Sequence, residues 1–487
     1  TKSIKTETLA AIAKGLDVSV NDLVGREKKQ EVYSRASVDP IFSYCRVAAI
    51  TPDLKVGDVE RNAQSVLDAL ENYSVKRVKV LVFPELTLSG YTAADLFYMD
   101  TLLHACEKYL VKIADFSINY DTLAFVGAPL KKDGKLYNCA VAICKGKILG
   151  VVPKTFLPSY NEFYEKRQFS SFGDENGLIT INGKDYPFGR KLIFRNKNYP
   201  EMKVAAEICE DLWTVKNPSE EHAVAGANII VNLSASDELI GKAEYRRNLC
   251  SMQSAKCVCA YVYSDAGSGE SSTDMVFSAH NIITENGKIL SESEIFGDGI
   301  AVADVDIGFL EHERTKLFNY DLKPDAGYQY IDFVSNINTD RVERDYEKTP
   351  FVPADKGELE KRINLITDIQ AEGLLRRVKH TQAKSLVVGV SGGLDSTLAL
   401  LIAARAIDKL GRKRKDIFAI SMPCFGTTER TKSNAELLSE QLGVSFREID
   451  ITDSVRSHFK DIGQNEKVTD VTYENSQARE RTQVLMD

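Results

Sequence analysis

Residues 386–396 read Leu-Val-Val-Gly-Val-Ser-Gly-Gly-Leu-Asp-Ser, an apolar run followed by two adjacent glycines, and a helical pattern continues from Thr397 to Ile407. This order predicts a strand, a tight loop and a helix. Adjacent glycines let backbone N–H groups turn toward an anion, serine hydroxyls add donors, and the helix N-terminus contributes the positive end of its dipole. We therefore predict a nucleotide-phosphate site at Ser391–Ser396.

The composition of this loop narrows the chemistry. It has neither the G-x-x-x-x-G-K-[ST] nor the G-x-G-x-x-G spacing, and it carries an aspartate in place of a lysine. An aspartate facing a polyphosphate is repulsive unless a divalent cation lies between them, so Asp395 is predicted to bind Mg²⁺. A plain Gly-Gly turn is the structural alternative, which both serines and the aspartate disfavour. The pattern resembles the SGGxDS loop of the ATP pyrophosphatases, which implies that ATP is bound by Ser391, Gly392, Gly393, Leu394, Asp395 and Ser396.

The residues around the loop predict a parallel sheet. Helical patterns at Leu359–Gln370 and Gly373–Arg377 precede it, and the runs Ile417–Met422 and Val444–Ile449 follow, separated by the helix Lys432–Leu442. Alternating strands and helices are typical of a doubly wound α/β fold. We expect such a domain over residues 357–487.

The chain before residue 311 has a different texture, with short β-rich apolar runs, turns and helical segments such as Asn62–Tyr73. This pattern predicts a second, larger α/β domain over residues 42–310. Residues 311–356 are rich in charge, Asp, Asn and Pro, and predict a linker over the surface. The apolar runs are Val47–Ile50, Val78–Phe83, Leu123–Gly127, Ala140–Lys154, Val204–Ile208, Ile229–Leu233, Val258–Tyr263 and Met275–Leu290 with a hairpin turn at Asn286-Gly287.

Residues 1–41 predict a short helical segment followed by a charged linker. The helical part resembles the tail of a small helix-turn-helix domain, but the helices that would enter the major groove are missing from it. The formal net charge of -8 gives no general attraction to nucleic acid or to an anionic membrane. We expect neither as a partner.

The nine cysteines are odd in number and include no C-x-x-C pair, which favours a reducing cytoplasm. No apolar run approaches the roughly 18 residues needed to span a bilayer, and no signal peptide is recognisable at the first residue. We therefore expect a cytoplasmic enzyme with small-molecule substrates.

Three reactive side chains follow strands of the larger domain. Glu85 lies in Phe-Pro-Glu-Leu-Thr, Lys154 in Val-Pro-Lys-Thr-Phe and Cys209 in Glu-Ile-Cys-Glu-Asp. Each has a plain structural explanation alone, since a cysteine can be a small buried apolar residue and strand-end charges are common. Together they are the set that hydrolyses an amide through a thioester, in which the carboxylate takes the thiol proton and the cation stabilises the anionic intermediate.

The three segments, in this order, resemble the nitrilase (carbon-nitrogen hydrolase) superfamily. The resemblance implies an α-β-β-α sandwich and a second glutamate that helps orient the lysine or the substrate; Glu162 is preferred here and Glu165 is the reserve. It also implies a pocket for the substrate, to which we assign Tyr91, Tyr160, Glu210, Ser234 and Ser236.

A nitrilase-like domain followed by an SGGxDS domain resembles the glutamine-dependent NAD⁺ synthetase family. The resemblance covers residues from about Phe42 to the last residue. It implies glutamine as nitrogen donor, ammonia passing through a channel, and ATP with Mg²⁺ activating nicotinic acid adenine dinucleotide in a homo-oligomer. The segment Thr472–Arg481 then supplies residues that bind the dinucleotide or ATP, namely Glu474, Asn475, Gln477, Arg479 and Arg481.

The sequence stops at Asp487, inside the predicted synthetase domain. We therefore expect glutamine hydrolysis to be retained and NAD⁺ synthesis to be impaired. One alternative is a stand-alone amidase with an inactive nucleotide-binding appendage, which would turn over simple aliphatic amides. Another is a nucleotide-sensing transcriptional regulator, which would need salt-sensitive binding to a specific duplex.

Overall fold

The computed structural model describes residues 43–317, 320–323, 326–337, 341–346, 348–425 and 429–487. The helical segment predicted within residues 1–41 lies outside them. The described residues form a larger compact unit, residues 43–345, and a smaller one, residues 346–487. Strands and helices are numbered along the chain.

The larger unit contains two sheets. The first has eight strands in the order β14-β1-β2-β3-β4-β5-β7-β6, and the second has seven in the order β13-β12-β11-β10-β9-β8-β15. The strands of the first sheet are β1 (Tyr44–Ile50), β2 (Val80–Val82), β3 (Leu123–Lys132), β4 (Lys135–Cys144), β5 (Lys147–Pro153), β6 (Gly177–Ile181), β7 (Lys184–Phe188) and β14 (Ile300–Asp306). Those of the second are β8 (Leu192–Asn196), β9 (Lys203–Ile208), β10 (Ile229–Leu233), β11 (Ala260–Ser264), β12 (Ile282–Glu285), β13 (Lys288–Glu292) and β15 (Gln329–Phe333).

The two sheets pack face to face, and helices cover their outer faces. Side chains such as Phe125 of β3 and Phe194 of β8 meet between the sheets, with ring centroids 5.5 Å apart. Because both faces are covered, strands such as β3 are apolar on both sides rather than alternating. The predicted α-β-β-α sandwich is confirmed. Its helices are α1 (Val59–Val75) and α2 (Asp100–Phe116) on the first sheet, α3 (Glu210–Trp213), α4 (Pro218–Val224) and α5 (Lys242–Cys257) on the second, and α6 (Ile307–Lys316) after β14.

Two predictions for this unit need correction. The run Met275–Leu290 becomes strand only from Ile282, with the predicted hairpin turn at Asn286-Gly287, where both residues have positive φ. The segment 311–356 contains more structure than a surface connection, because α6 continues to Lys316 and β15 pairs in parallel with β8. The short alternation in Gln-Tyr-Ile-Asp-Phe was too brief to stand out among the charged residues around it.

The smaller unit is a parallel three-stranded sheet in the order β16-β17-β18 with helices on both faces. Ile417 and Ala419 of β17 pack with one apolar cluster, whereas Phe418 and Ile420 pack with another on the opposite face. The predicted doubly wound β-α-β-α-β order is confirmed. The elements are α7 (Lys356–Thr381), β16 (Leu386–Gly389), α8 (Leu394–Lys409), β17 (Ile417–Ser421), α9 (Glu429–Leu442), β18 (Ser445–Glu448), α10 (Thr452–Ile462) and α11 (Val471–Met486).

The two helical patterns predicted before the loop form one helix, α7, which passes through Gly373. Glycine costs about 1 kcal/mol in a helix interior, and the C-terminal half of α7 packs on α8 with ion pairs from Asp368 to Arg405 and Lys409. Tertiary contacts therefore override the local break. Among the helices that the structure describes, none combines the length and apolar character needed to cross a membrane.

Candidate functional site

A buried ammonium group lies between two carboxylates in the larger unit. Lys154 Nζ is 2.6 Å from Glu85 Oε1 and 2.6 Å from Glu165 Oε1. The three residues are at most 5% exposed. An unpaired charge at such a depth would cost several kcal/mol, so each of these groups depends on the others to remain charged.

The strands of both sheets bring this cluster to Cys209. Glu85 follows β2, Lys154 follows β5 and Cys209 follows β9. The Glu85 N–H donates to the Ser234 carbonyl at 3.2 Å, which ties the end of the first sheet to the end of the second. The three predicted catalytic residues therefore meet at one edge of the sandwich.

A glycine on the neighbouring strand makes room for the turn that carries Glu85. A Cβ at Gly127 would lie 2.4 Å from the Leu86 nitrogen and 2.5 Å from the Pro84 oxygen. Leu86 itself has a positive φ of 52°, which a branched side chain rarely adopts. The turn is thus strained and closely packed, and only glycine at position 127 fits beneath it.

Cys209 occupies a second strained turn, between β9 and α3. Its φ is 43°, in the left-handed region. Its N–H donates to the Leu233 carbonyl and to Asn232 Oδ1, both at 3.0 Å. Strain of this kind costs about 1–3 kcal/mol and persists only where its surroundings hold it. Two hydrogen bonds to its N–H thus hold Cys209 in the strained turn.

Burial and neighbouring charge set the ionisation of the cluster. Burial raises the pKa of the Cys209 thiol well above its usual value, and the charge of Glu85 raises it further while Lys154 opposes the shift. Burial also raises the pKa of Glu85, which the charge of Lys154 opposes. For Lys154, burial alone would lower the pKa, but Glu165 and Glu85 outweigh it and raise it well above normal. The lysine is therefore a permanent cation beside a protonated thiol.

A backbone amide connects the thiol with the base. The Ala235 N–H donates to Glu85 Oε2 at 3.0 Å, and it also faces the Cys209 thiolate, whose pKa it lowers. Asn138 Nδ2 donates to Glu85 Oε1 at 2.5 Å. Glu85 is thus fixed by donors on both oxygens and lies beside Cys209.

The structure selects between the two candidate supporting glutamates. Glu165, the reserve, contacts Lys154, whereas Glu162, the preferred candidate, is partly exposed and lines a pocket of about 190 Å³. Glu165 rather than Glu162 is therefore the glutamate that contacts Lys154. Sequence spacing could not decide it, because the residues follow an irregular loop that ends in a 3-10 turn, Glu165–Arg167. Glu165 Oε2 is buried without a hydrogen-bond partner.

Three of the predicted substrate-binding residues, Tyr91, Tyr160 and Glu210, lie around the cluster that contains Lys154. The Tyr91 hydroxyl donates to Glu165 Oε1 at 2.9 Å. The Tyr160 hydroxyl, on a residue that is 50% exposed, donates to Glu210 Oε2 at 2.8 Å. Tyr160 and Glu210 line a second pocket of about 360 Å³, and Tyr91 lines the first. Cys209 lines neither of these two pockets.

The two predicted serines are deeply buried. The Ser234 hydroxyl donates to Asn232 Oδ1 at 2.7 Å, so its proton has an internal partner. Ser236 Oγ accepts a bond of 3.3 Å from Arg246, and the Ser236 N–H donates to Asp265 at 2.8 Å. The structure therefore gives Ser234 and Ser236 internal contacts that a substrate would have to share or replace.

Lys242 was missed by sequence reasoning, because it opens a helix with ordinary surface composition. Its Nζ pairs with Asp237 and lies 5.4 Å from the ring centroid of Phe163 and 5.7 Å from that of Trp213. Its charge lowers the pKa of Glu210, although burial raises it overall. A cation thus lies within electrostatic reach of the Tyr160–Glu210 pair.

Asp211 and Glu270 were also missed. The Asp211 carboxylate accepts the Phe156 N–H at 2.8 Å and the Ile208 N–H at 2.9 Å. These two bonds join the segment after Lys154 to the segment before Cys209. Glu270 accepts the N–H groups of Tyr91 and Thr92. The sequence could not reveal either residue, because an acidic side chain points to a functional site only when its burial is known.

In the smaller unit the loop has the predicted strand, loop and helix geometry. Gly392 has a φ of 77°, and Gly393 precedes the first residue of α8. The Ser391 and Ser396 hydroxyls are 3.3 Å apart, and the Gly393 N–H donates to Ser391 Oγ at 3.3 Å. Leu394 is 68% exposed. The two serine hydroxyls thus face each other across the loop.

Asp395 lies exposed in the first turn of α8, beside this loop. Within the described residues, no three His, Cys, Asp or Glu side chains converge as metal ligands. One carboxylate that shares the ion with substrate phosphates is a usual Mg²⁺ arrangement in nucleotide sites. The residues present therefore fit a metal that arrives with a nucleotide.

The predicted residues of α11 divide into two groups. Arg481 donates to the Met422 carbonyl at 3.5 Å and to Gln477 Oε1 at 3.4 Å, which brings both near the carboxyl end of β17. The loop after β16 is adjacent, since the Val390 N–H donates to the Ile420 carbonyl at 2.8 Å. The other three residues, Glu474, Asn475 and Arg479, lie exposed on the helix.

Comparison with known proteins gives two family matches. Residues 46–314 match the carbon-nitrogen hydrolase family, and residues 366–487 match the NAD synthase family. The two matches fall in the two compact units.

Individual relatives span both units. A glutamine-dependent NAD(+) synthetase of Mycobacterium tuberculosis is 43% identical over 456 residues, covering 91% of this chain and 67% of the relative. That of Aquifex aeolicus is 29% identical over 434 residues, covering 88% of this chain and 70% of the relative. A solved glutamine-dependent NAD(+) synthetase from Cytophaga hutchinsonii has a TM-score of 0.49 at 21% identity, covering 91% of this chain and 72% of that one. The chain thus spans about two thirds of the length of the mycobacterial relative.

Proposed function

The chain belongs to the glutamine-dependent NAD(+) synthetase family, and we propose that Cys209 hydrolyses glutamine to feed ammonia to an ATP-dependent amidation at Ser391–Ser396. The observation that carries the first half is the buried Lys154, held by Glu85 and Glu165 beside a strained cysteine turn. In the second half, ATP adenylates the carboxylate of nicotinic acid adenine dinucleotide with release of pyrophosphate. Ammonia then displaces AMP to form NAD⁺.

The amide is cleaved in two steps. Glu85 takes the thiol proton as the Cys209 sulfur attacks the side-chain amide carbon, and it returns that proton to the amide nitrogen as the C–N bond breaks to give a thioester and ammonia. Water then attacks the thioester and releases glutamate and the free thiol. Glu85 suits the role of base because burial raises the pKa of its carboxyl, and a more basic carboxylate accepts a proton more readily.

Lys154 stabilises the anionic intermediate of both steps. Its raised pKa keeps it charged at any physiological pH. Removing one stabiliser of this kind usually costs about 10²- to 10³-fold in rate. Glu165 supports the lysine, because its Oε1 accepts from Lys154 and Tyr91.

Recognition of an amino acid needs a cation and an anion at a fixed separation. Glu210 and Tyr160 supply acceptors for the α-ammonium group, and Lys242 supplies a cation for the α-carboxylate. Tyr91 and Ser236 are proposed to border the same site. Ser234 acts indirectly, through its bond to Asn232.

For the second half, we assign the triphosphate to the glycine loop and the anionic groups of the substrates to Gln477 and Arg481. Asp395 would hold Mg²⁺, which when bound neutralises charge on the leaving pyrophosphate. The exposed residues Glu474, Asn475 and Arg479 stay candidates for the dinucleotide.

We further propose a carbon-nitrogen hydrolase domain over residues 42–310 and a synthetase ATP-binding domain from 357, with the intervening segment 311–356 adding the end of α6 and strand β15 to the larger unit. Residues 1–41 stay a predicted helical segment with linker. A cytoplasmic location and a homo-oligomer also stay predictions, and sedimentation velocity would measure the second.

The test of the first half is glutamate release from glutamine by the purified chain. Cys209→Ala should abolish it while leaving the thermal midpoint within a few degrees. Cys106→Ala, which alters another fully buried thiol, is the matched control and should retain it. Glutamine hydrolysis by Cys209→Ala at the normal rate would exclude the assignment, as would a wild-type preference for simple aliphatic amides over glutamine.

A further inference from the structure

Three polar side chains form a chain of hydrogen bonds behind Cys209, on the helix-facing side of the second sheet. Asn232 lies opposite Glu207 in the pairing of β10 with β9, and Tyr261 is on β11. Each is at most 1% exposed. Asn232 Nδ2 donates to the Tyr261 hydroxyl oxygen at 2.9 Å, and that hydroxyl donates to Glu207. Buried polar groups of this kind are costly unless every partner is satisfied.

The donors and acceptors fix the direction of the whole chain. The Cys209 N–H can only donate, so it selects Oδ1 of Asn232, at 3.0 Å. The amide nitrogen must then donate to Tyr261, whose own proton is left for Glu207. The Ser219 N–H donates to the second Glu207 oxygen at 2.8 Å, so this carboxylate accepts on both sides.

The end of this chain is the strained nucleophile turn. Cys209 has a φ of 43°, and its N–H donates a hydrogen bond to the Asn232 side chain. Ser234 donates to the same Oδ1 at 2.7 Å and connects the next turn, whose Ala235 N–H faces the thiolate. A rotated Asn232 amide would present its N–H₂ group to the Cys209 N–H, which cannot accept it.

We propose that Glu207, Tyr261 and Asn232 are positioning residues that hold the Cys209 thiol in its reactive orientation. The proposal rests on the function proposed for Cys209, but the reactivity of the thiol can be measured without glutamine. None of these three residues is proposed to touch the substrate. Each acts by fixing the orientation of the Asn232 side-chain amide.

The proposal predicts a specific defect in Tyr261→Phe. This change removes the acceptor of the Asn232 amide nitrogen and leaves that N–H₂ group buried without a partner, so the Asn232 side chain shifts, its bond to the Cys209 N–H weakens and the thiol loses its fixed position near Lys154. Misplacing a reacting group by about 1 Å can cost about 10²-fold. We expect kcat for glutamine hydrolysis to fall at least about 10-fold, with KM changed by less than about twofold.

The second readout is alkylation of Cys209 by iodoacetamide, followed by mass spectrometry of the peptide that contains it. Because Lys154 and the Ala235 N–H lower the pKa of this thiol, a displaced thiol should react more slowly and its pH profile should move to higher pH. Tyr320→Phe is the control, since it removes a partly buried hydroxyl that donates to the Cys257 carbonyl at 2.8 Å rather than to Glu207 or Asn232. It should leave kcat and the alkylation profile unchanged.

Asn232→Ser is the second test variant, used if Tyr261→Phe does not fold. The serine side chain is shorter than that of asparagine, so its hydroxyl cannot reach both Cys209 and Tyr261. It should show the same loss of alkylation rate. A wild-type alkylation profile in either variant would overturn the proposal, as would losses no greater than those of Tyr320→Phe at equal thermal midpoints. Absence of glutamine hydrolysis in the wild type would instead refute the proposed function and leave the alkylation test valid.

Discussion

Glu162 and Glu165 are three positions apart, but only Glu165 Oε1 lies 2.6 Å from Lys154 Nζ. Glu165→Gln removes one of the two anions that raise the pKa of Lys154. It leaves the buried cation with one carboxylate. We expect glutaminase kcat/KM to fall about 10²-fold, whereas Glu162→Gln, its matched control, should change it by less than about threefold. Equal losses in the two variants would contradict the assignment.

The same substitution has a predictable effect on pH dependence. Glu85 must be ionised to act as a base, so activity is lost as pH falls through its pKa. Burial raises this pKa above the usual glutamate value, and the charge of Glu165 raises it further. In Glu165→Gln the pKa of Glu85 should therefore drop, and the acid limb of the kcat/KM profile should move to lower pH. An acid limb that moves to higher pH would show that Glu85 is not the titrating group.

At the scale of elements, the turn after β2 depends on the strand beside it. A Cβ at Gly127 would overlap the backbone of Pro84 and Leu86, so Gly127→Ala must push the turn outward. Overpacking of this kind costs about 1–3 kcal/mol. We expect a lower thermal midpoint, and a loss of glutaminase activity larger than the loss of folded protein because Glu85 moves with the turn.

Gly134→Ala provides the comparison for that measurement. Gly134, unlike Gly127, lies at a turn with positive φ, and a Cβ there meets nothing within 4 Å. It should destabilise modestly through backbone strain alone and keep normal kcat in the folded fraction. Normal kcat in folded Gly127→Ala would mean that Glu85 tolerates displacement of its turn.

The elements also show how far sequence reasoning reaches. Strand ends such as Ile208–Cys209 were predictable, because apolar runs mark strands and a reactive residue directly after a run lies at the sheet edge. The position of Glu165 was not, since an irregular loop carries no periodicity. Strand β15 was missed because a five-residue alternation in a charged segment is too weak a signal. Gly127 could be recognised only once the neighbouring turn was known.

At the scale of the whole molecule, the two candidate sites are built within separate compact units. The contacts of Cys209, Glu85 and Lys154 all lie in the larger unit, and those of Ser391 and Ser396 lie in the smaller one. Each half of the proposed reaction should therefore be removable without the other, provided that glutamine hydrolysis is measured in the absence of ATP.

Two substitutions test this separation as a crossed pair. Asp395→Ala should weaken binding of Mg²⁺-ATP at least about 10-fold in isothermal titration calorimetry, because a metal bridging carboxylate and phosphates is lost, and should leave glutamate release within about twofold of wild type. Cys209→Ala should abolish glutamate release and leave Mg²⁺-ATP binding unchanged. Loss of glutamine hydrolysis in Asp395→Ala without ATP would contradict independent sites. Unchanged Mg²⁺-ATP binding in that variant would remove Asp395 as the metal ligand, since its carboxylate is the acidic group carried by the loop itself.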